Sequence, residues 1–167
     1  MGKDSKTKKF EIEYVKCVWG LLCSLSSVDQ ERNNISLFNV VEQINIPIEF
    51  FVQQKKESKS LIFPFSYEVV LCWRRMLDIG ISDEEILADF KIKIVDPSGK
   101  ILQEVLSPLK FPKGIKRLRS RLVMQGMLAS MAGDYAYHIE IKLSNQNDFE
   151  KVLEIPLEIK ETVSIKK

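Results

Sequence analysis

Tyr135-Ala136-Tyr137-His138-Ile139-Glu140-Ile141-Lys142-Leu143 alternates large apolar and polar side chains along most of its length. Successive side chains of a β-strand point to opposite faces. The stretch therefore puts Tyr135, Tyr137, Ile139, Ile141 and Leu143 on one face and His138, Glu140 and Lys142 on the other. Beyond the polar turn Ser144 to Asp148, Leu153, Ile155, Leu157 and Ile159 alternate with Glu154, Glu158 and Lys160. Together the two segments make a hairpin with one buried and one wet face.

The same period recurs upstream. Leu118, Leu122 and Met124 alternate with Arg117, Arg119, Arg121 and Val123. Ala88, Phe90, Ile92 and Ile94 alternate with Asp89, Lys91 and Lys93, turn at Asp96-Pro97-Ser98-Gly99, and return in Ile101 to Val105. Leu61 to Met76 is the longest run, with Phe63, Phe65, Tyr67, Val69, Leu71 and Trp73 on one face and Pro64 marking an edge or a bulge. Ile35 to Ile46 reads as one strand stopped by Pro47, followed by a lysine-rich loop, Gln53 to Lys59. Val15 to Ser26 opens the series, with Val15, Cys17, Trp19, Leu21, Cys23 and Leu25 on one face. Val18 and Leu22 make its other face partly apolar, as in a strand covered on both sides. Ser82-Asp83-Glu84-Glu85 carries the one helical signal, a capping box. The expected fold is an all-β, immunoglobulin-like antiparallel sandwich of about eight strands with one short helical turn. It occupies residues 10–160, between a basic tail, 1–9, and a C-terminal tail, 161–167.

Composition sets outer limits. The 167 residues are 45% hydrophobic and 29% charged, enough apolar material to close one core, and the net charge of +2 names no partner by itself. The start is polar and lysine-rich without a signal-type apolar run, and Cys17 to Leu25 is far too short to span a bilayer. A cytoplasmic protein with no membrane partner follows as the expectation. Cys17, Cys23 and Cys72 are odd in number and sit in apolar runs, which fits reduced core thiols. The sequon Asn34-Ile35-Ser36 is then a chance match.

Four segments, in order, carry a resemblance. They are Leu21-Leu22-Cys23 with Ile35-Ser36-Leu37-Phe38-Asn39-Val40-Val41; Ile62-Phe63-Pro64-Phe65; Val95-Asp96-Pro97-Ser98-Gly99-Lys100; and Ala132-Gly133-Asp134-Tyr135. From Cys17 to Ile159 the chain resembles a family of small bacterial proteins of unassigned function with an immunoglobulin-like β-sandwich fold. The resemblance implies a fold and no activity. Gly133-Asp134-Tyr135 also resembles the tyrosine corner of Greek-key sandwiches, in which the hydroxyl bonds back to nearby backbone. Tyr137 stands where an antibody domain has its second cysteine, so no antibody-type disulfide is expected.

Candidate chemistry is sparse. The single histidine, His138, lies on a polar strand face with Glu140, a common surface pair, and Cys23 points the other way. Asp78, Asp83, Glu84, Glu85 and Asp89 form an acidic loop without EF-hand spacing, and the cysteines show no zinc spacing. No glycine-rich phosphate loop occurs, and no cofactor is expected. Trp19 and Trp73 alternate with apolar neighbours and read as core. The most informative feature is basic: Lys110, Lys113, Lys116, Arg117, Arg119 and Arg121, with Arg74 and Arg75 on another strand. Arg117, Arg119 and Arg121 would form a guanidinium row at steps of about 7 Å. Such a row grips carboxylates or phosphates, or else guards an exposed edge. No aromatic is interleaved with it on that face, as stacking on nucleic acid would want. The expectation is a non-enzymatic module that binds a protein partner through Lys113, Lys116, Arg117, Arg119 and Arg121. Nucleic acid or another polyanion on the basic segment 110–121 is the alternative, and an enzyme with an unrecognised site a second one.

Overall fold

A computed structural model describes residues 15–57, 61–76 and 84–163. Among them are nine strands and one helix. The strands are β1 (Val15–Asp29), β2 (Asn34–Val40), β3 (Gln43–Pro47), β4 (Ile62–Arg75), β5 (Ile86–Val95), β6 (Ile101–Phe111), β7 (Arg117–Leu128), β8 (Gly133–Leu143) and β9 (Glu150–Thr162), with the helix α1 (Ile48–Glu57) between β3 and β4. The strands form a four-stranded sheet, ordered β2-β1-β4-β7, and a five-stranded sheet, ordered β3-β9-β8-β5-β6. Pairing is antiparallel except between β3 and β9, which run parallel. The two sheets curl into a half-barrel. No helix among the described residues is long and apolar enough to cross a membrane.

The alternation that predicts strands also fills the space between the sheets. Tyr67, Val69, Leu71 and Trp73 of β4 face Phe90, Ile92 and Ile94 of β5 and Tyr137, Ile139 and Ile141 of β8, all in one buried cluster. Tyr67 and Tyr137 meet across the core with their hydroxyls 2.7 Å apart, so neither oxygen is left without a partner. The tyrosine corner is present. Tyr135 donates to the carbonyl of Met131 at 2.7 Å and accepts from the N–H groups of Ser130 and Met131. Nearby, Asp96 is buried in the β5–β6 turn, where Ser98 N, Lys100 N and the Ser98 and Ser130 hydroxyls donate to it. Burial alone would raise its pKa, but these bonds together hold it below the ordinary value.

Several expectations are corrected. Ile35 to Ile46 is two strands in different sheets, because the chain crosses between sheets at Val41 and Glu42; Pro47 ends β3 against Thr162 of β9. Of the expected loop, Gln53 to Glu57 falls within α1, and Ser58 and Lys59 lie outside the described residues; α1 buries Phe51 and has Glu49 in its first turn and Lys55 and Lys56 in its last, as the helix dipole favours. Of the expected helical turn, Ser82 and Asp83 lie outside the described residues, and Glu84 and Glu85 are not helical. Glu85 instead pairs with Lys110 at 2.8 Å. β6 continues to Phe111.

The largest correction is in β1. A register shift between Cys17 and Trp19 inverts the alternation. Val15, Cys17 and Leu22 belong to the core, whereas Trp19 and Leu21 are half-buried and Leu25 is 54% exposed. Gly20 takes an inward position, where an added Cβ would come within 2.6 Å of Leu153 and 2.7 Å of Leu71. A side chain there would force the sheets apart.

Candidate functional site

The outer face of the four-stranded sheet bears the basic residues. β4 presents Arg74, Cys72, Val70 and Glu68 there, opposite Arg117, Arg119, Arg121 and Val123 of β7. On the other side Lys16, Trp19, Leu21 and Cys23 of β1 occupy the corresponding positions. The alternation in β7 therefore does put the three arginines on one face. Their surroundings then separate them.

Arg119 and Arg121 are engaged by other parts of the chain, Arg121 with 39% of its side chain still exposed. Arg119 donates to the side-chain oxygen of Asn33 at 2.8 Å and to the carbonyl of Asn33 at 2.7 Å. Asn33 lies in the β1–β2 turn, whereas Arg119 shares the row of Trp19. A straight β1 would carry that turn roughly 30 Å away. The β1–β2 hairpin therefore folds back over the outside of its own sheet. Arg121 holds it a second time, donating to the carbonyl of Ser26 at 3.0 Å and pairing with Glu68 at 3.2 Å. The Ser26 hydroxyl also donates to Glu68. Burial acts to raise the Glu68 pKa, but the bonds from Arg121 and Ser26 and the Arg121 charge bring it below the ordinary value. The fold-back explains why Cys23, Val70 and Cys72 are buried on the face that points away from the core. Burial pushes all three thiols up, Cys17 to about 12 with help from neighbouring Cys72.

Arg117 belongs to a different set. Lys16 pairs in register with Arg74, and Arg74 with Arg117, so three exposed cations lie in one row across β1, β4 and β7. Neighbouring strands are about 4.8 Å apart. Lys116 precedes Arg117 and Lys113 sits in the same connection, both exposed. Among the described residues none of Lys16, Arg74, Lys116 and Arg117 has an acidic partner. Like charges directly opposite one another destabilise a sheet. Sequence reading found Arg117, Lys116 and Lys113, noted Arg74 apart from them, and missed Lys16. The usable signal was a lone exposed lysine between two buried residues, Val15 and Cys17, at a strand end.

Other candidates resolve into structural pairs. His138 contacts Glu154 at 3.2 Å, while Glu140 pairs with Lys93 at 2.7 Å, so the expected His138–Glu140 pair does not form. Asp78 and Asp83 of the acidic loop lie outside the described residues, and no three metal-ligating side chains cluster among those described.

No protein-family model matches the chain, and no curated protein matches it. Solved structures do. The P. fluorescens alkylpurine DNA glycosylase AlkC, bound to DNA containing an abasic-site analogue, aligns at 9% identity and TM-score 0.45, over 88% of this chain and 30% of its own. A family 123 glycoside hydrolase from Clostridium perfringens aligns at 9% identity and TM-score 0.42, over 87% of this chain and 28% of its own. The crystal structure of the C-terminal domain of Wzt aligns at TM-score 0.54 and 10% identity, over 90% of this chain and 75% of that one, a likeness of fold alone.

Proposed function

We propose that the chain is a non-catalytic binding module that holds an acidic segment of a protein partner on the Lys16–Arg74–Arg117 row. The row is the observation that carries this reading. Three exposed cations stand in register without an acidic partner among the described residues, an arrangement that costs the sheet stability until an anion neutralises it. Guanidinium groups on adjacent strands fit carboxylates as bidentate partners, and Lys116 extends the positive surface. A cytoplasmic setting accords with three buried, unbridged thiols. The tyrosine corner at Tyr135 supports placing the two sheets in the broad immunoglobulin-like class.

A second reading has one observation behind it. Trp19 lies in the next row of the same face, beside Cys72 and Arg119, so an aromatic does accompany the cations, and a nucleic-acid base could stack there. Fluorescence anisotropy separates the two. A labelled acidic peptide and a labelled single-stranded oligonucleotide would be titrated against the wild type and against Arg74→Glu/Arg117→Glu. The peptide should bind at low salt, weaken as salt rises, and lose about tenfold or more in affinity to the double variant. Equal binding by wild type and variant would end the reading. A preference for the oligonucleotide would move the function to nucleic acid.

A further inference from the structure

A second surface lies on the same strand, beyond the basic row. β6 and β7 follow one another through the short connection 112–116, yet they belong to different sheets and form no ladder together. Near that connection β6 is tied to the sheet that holds β7, because buried Arg75 of β4 donates to the carbonyls of Phe111 and Pro112 at 3.2 Å. Toward Leu128 they diverge and leave a groove of about 600 Å³ lined by β6 (Gln103, Val105), β7 (Leu122 to Gly126, Leu128) and Ile62 of β4.

We infer that this groove binds an extended, uncharged peptide segment of a partner protein by strand addition. Both walls are open strand edges. Gln103 to Val105 pair on one side with β5, and Leu122 to Leu128 on one side with β4, and among the described residues no strand pairs with the other edge of either. Evenly repeated donors and acceptors match the main chain of a peptide better than any compact molecule. The side chains specify the rest. Among the described residues no charged side chain lines the groove, so a charged segment would lose its hydration without gaining a partner. Ile62, Leu106 and Val123, each 62% exposed, are the most exposed large apolar residues described apart from Val163. Ile62 and Val123 line the groove, whereas Leu106 points to the outer face of its own sheet beside Lys91. That concentration of exposed apolar surface is the mark of a docking site. Gly126 shapes the far wall: its φ is +93°, and an added Cβ would strike Ile62 at 2.2 Å.

The test uses the intact chain as bait for a phage-displayed random octapeptide library, with subtraction on Val123→Lys. Val123 is exposed enough for the variant to fold, and circular dichroism checks that it does. The expected outcome is enrichment of peptides poor in charge and rich in β-branched residues. The best of them should bind the variant at least tenfold more weakly. It should slow amide exchange along 103–105 and 122–128, and lose binding when alternate backbone nitrogens are methylated. Binding should survive Arg74→Glu, which separates this surface from the basic row. No enrichment over the variant would overturn the inference, as would binding indifferent to N-methylation. Val123-dependent self-association, found by light scattering, would overturn it in favour of a second copy as occupant.

Discussion

The hydroxyl of Tyr135 serves three backbone groups, the carbonyl of Met131 and the N–H groups of Ser130 and Met131. Tyr135→Phe should therefore cost about 1–3 kcal/mol, seen as a lower denaturant midpoint at unchanged slope. A midpoint equal to the wild type would show that the corner is ornamental. This feature was legible in Gly133-Asp134-Tyr135 because its partners lie within five residues, so no long-range packing had to be known. The thiols were half legible: their apolar neighbours foretold burial, though not that Cys23 and Cys72 face away from the core. Burial and Cys72 lift Cys17 from 9.0 to about 12, and burial moves Cys23 and Cys72 the same way. The rise leaves Cys17 with roughly 1,000-fold less thiolate near pH 8. An aromatic disulfide reagent at that pH should modify the native protein slowly and the denatured protein at once. Rapid reaction of one native thiol would restore an enzyme reading.

Among the elements, the β1–β2 hairpin was the least legible. Strict alternation puts Val15, Cys17, Trp19, Leu21, Cys23 and Leu25 on one face, but the bulge before Trp19 inverts the parity, and nothing about Val18 announces it. Gly20 was the one clue, a residue without a side chain amid a strongly apolar run, and it marks where Leu153 comes close. The fold-back depends on residues far apart in sequence, Ser26 and Asn33 against Glu68, Arg119 and Arg121, so periodicity could not find it. α1 was missed because its single buried side chain, Phe51, sets up no period. Arg119→Ala should loosen the hairpin, with faster amide exchange in residues 26–38 and quicker alkylation of Cys23. Unchanged exchange would mean that packing alone holds the hairpin down. Glu68 supplies a pH test. Its folded pKa is lowered, so its stabilisation is complete above the ordinary value near 4.5 and fades as pH falls through the folded value. Melting temperatures at about pH 7 and about pH 3 should thus fall more in the wild type than in Glu68→Gln. At neutral pH the variant should be weaker by about 1–2 kcal/mol, a modest figure because Arg121 is partly solvated.

At the scale of the whole molecule, charge is small in sum and uneven in place. The net charge is +2, yet Lys16, Arg74 and Arg117 converge from three strands on one end of one sheet. Sequence separates Lys16 from Arg74 by a long stretch, and only the pairing of β1 with β4 brings them level, which is why the all-β class was readable and the proposed row was not. That convergence puts stability and binding in opposition. On the proposed reading, repulsion within the row weakens the free protein and a bound anion relieves it, so an acidic partner would stabilise the chain by mass action as well as by contact. Arg74 stands at the centre of the row, and reversing its charge turns two repulsions into two attractions. Arg74→Glu should accordingly raise the unfolding free energy by about 0.5–1 kcal/mol, as denaturant titration at low salt would measure, and the gain should shrink as salt screens the row. The same variant should bind the acidic peptide least well. A surface kept only for solubility predicts little change in binding, and a row already neutralised by an unseen carboxylate predicts a loss of stability instead. Greater stability joined to lost binding is the result that marks these three cations as a site, because relief of repulsion alone would raise stability and leave binding untouched.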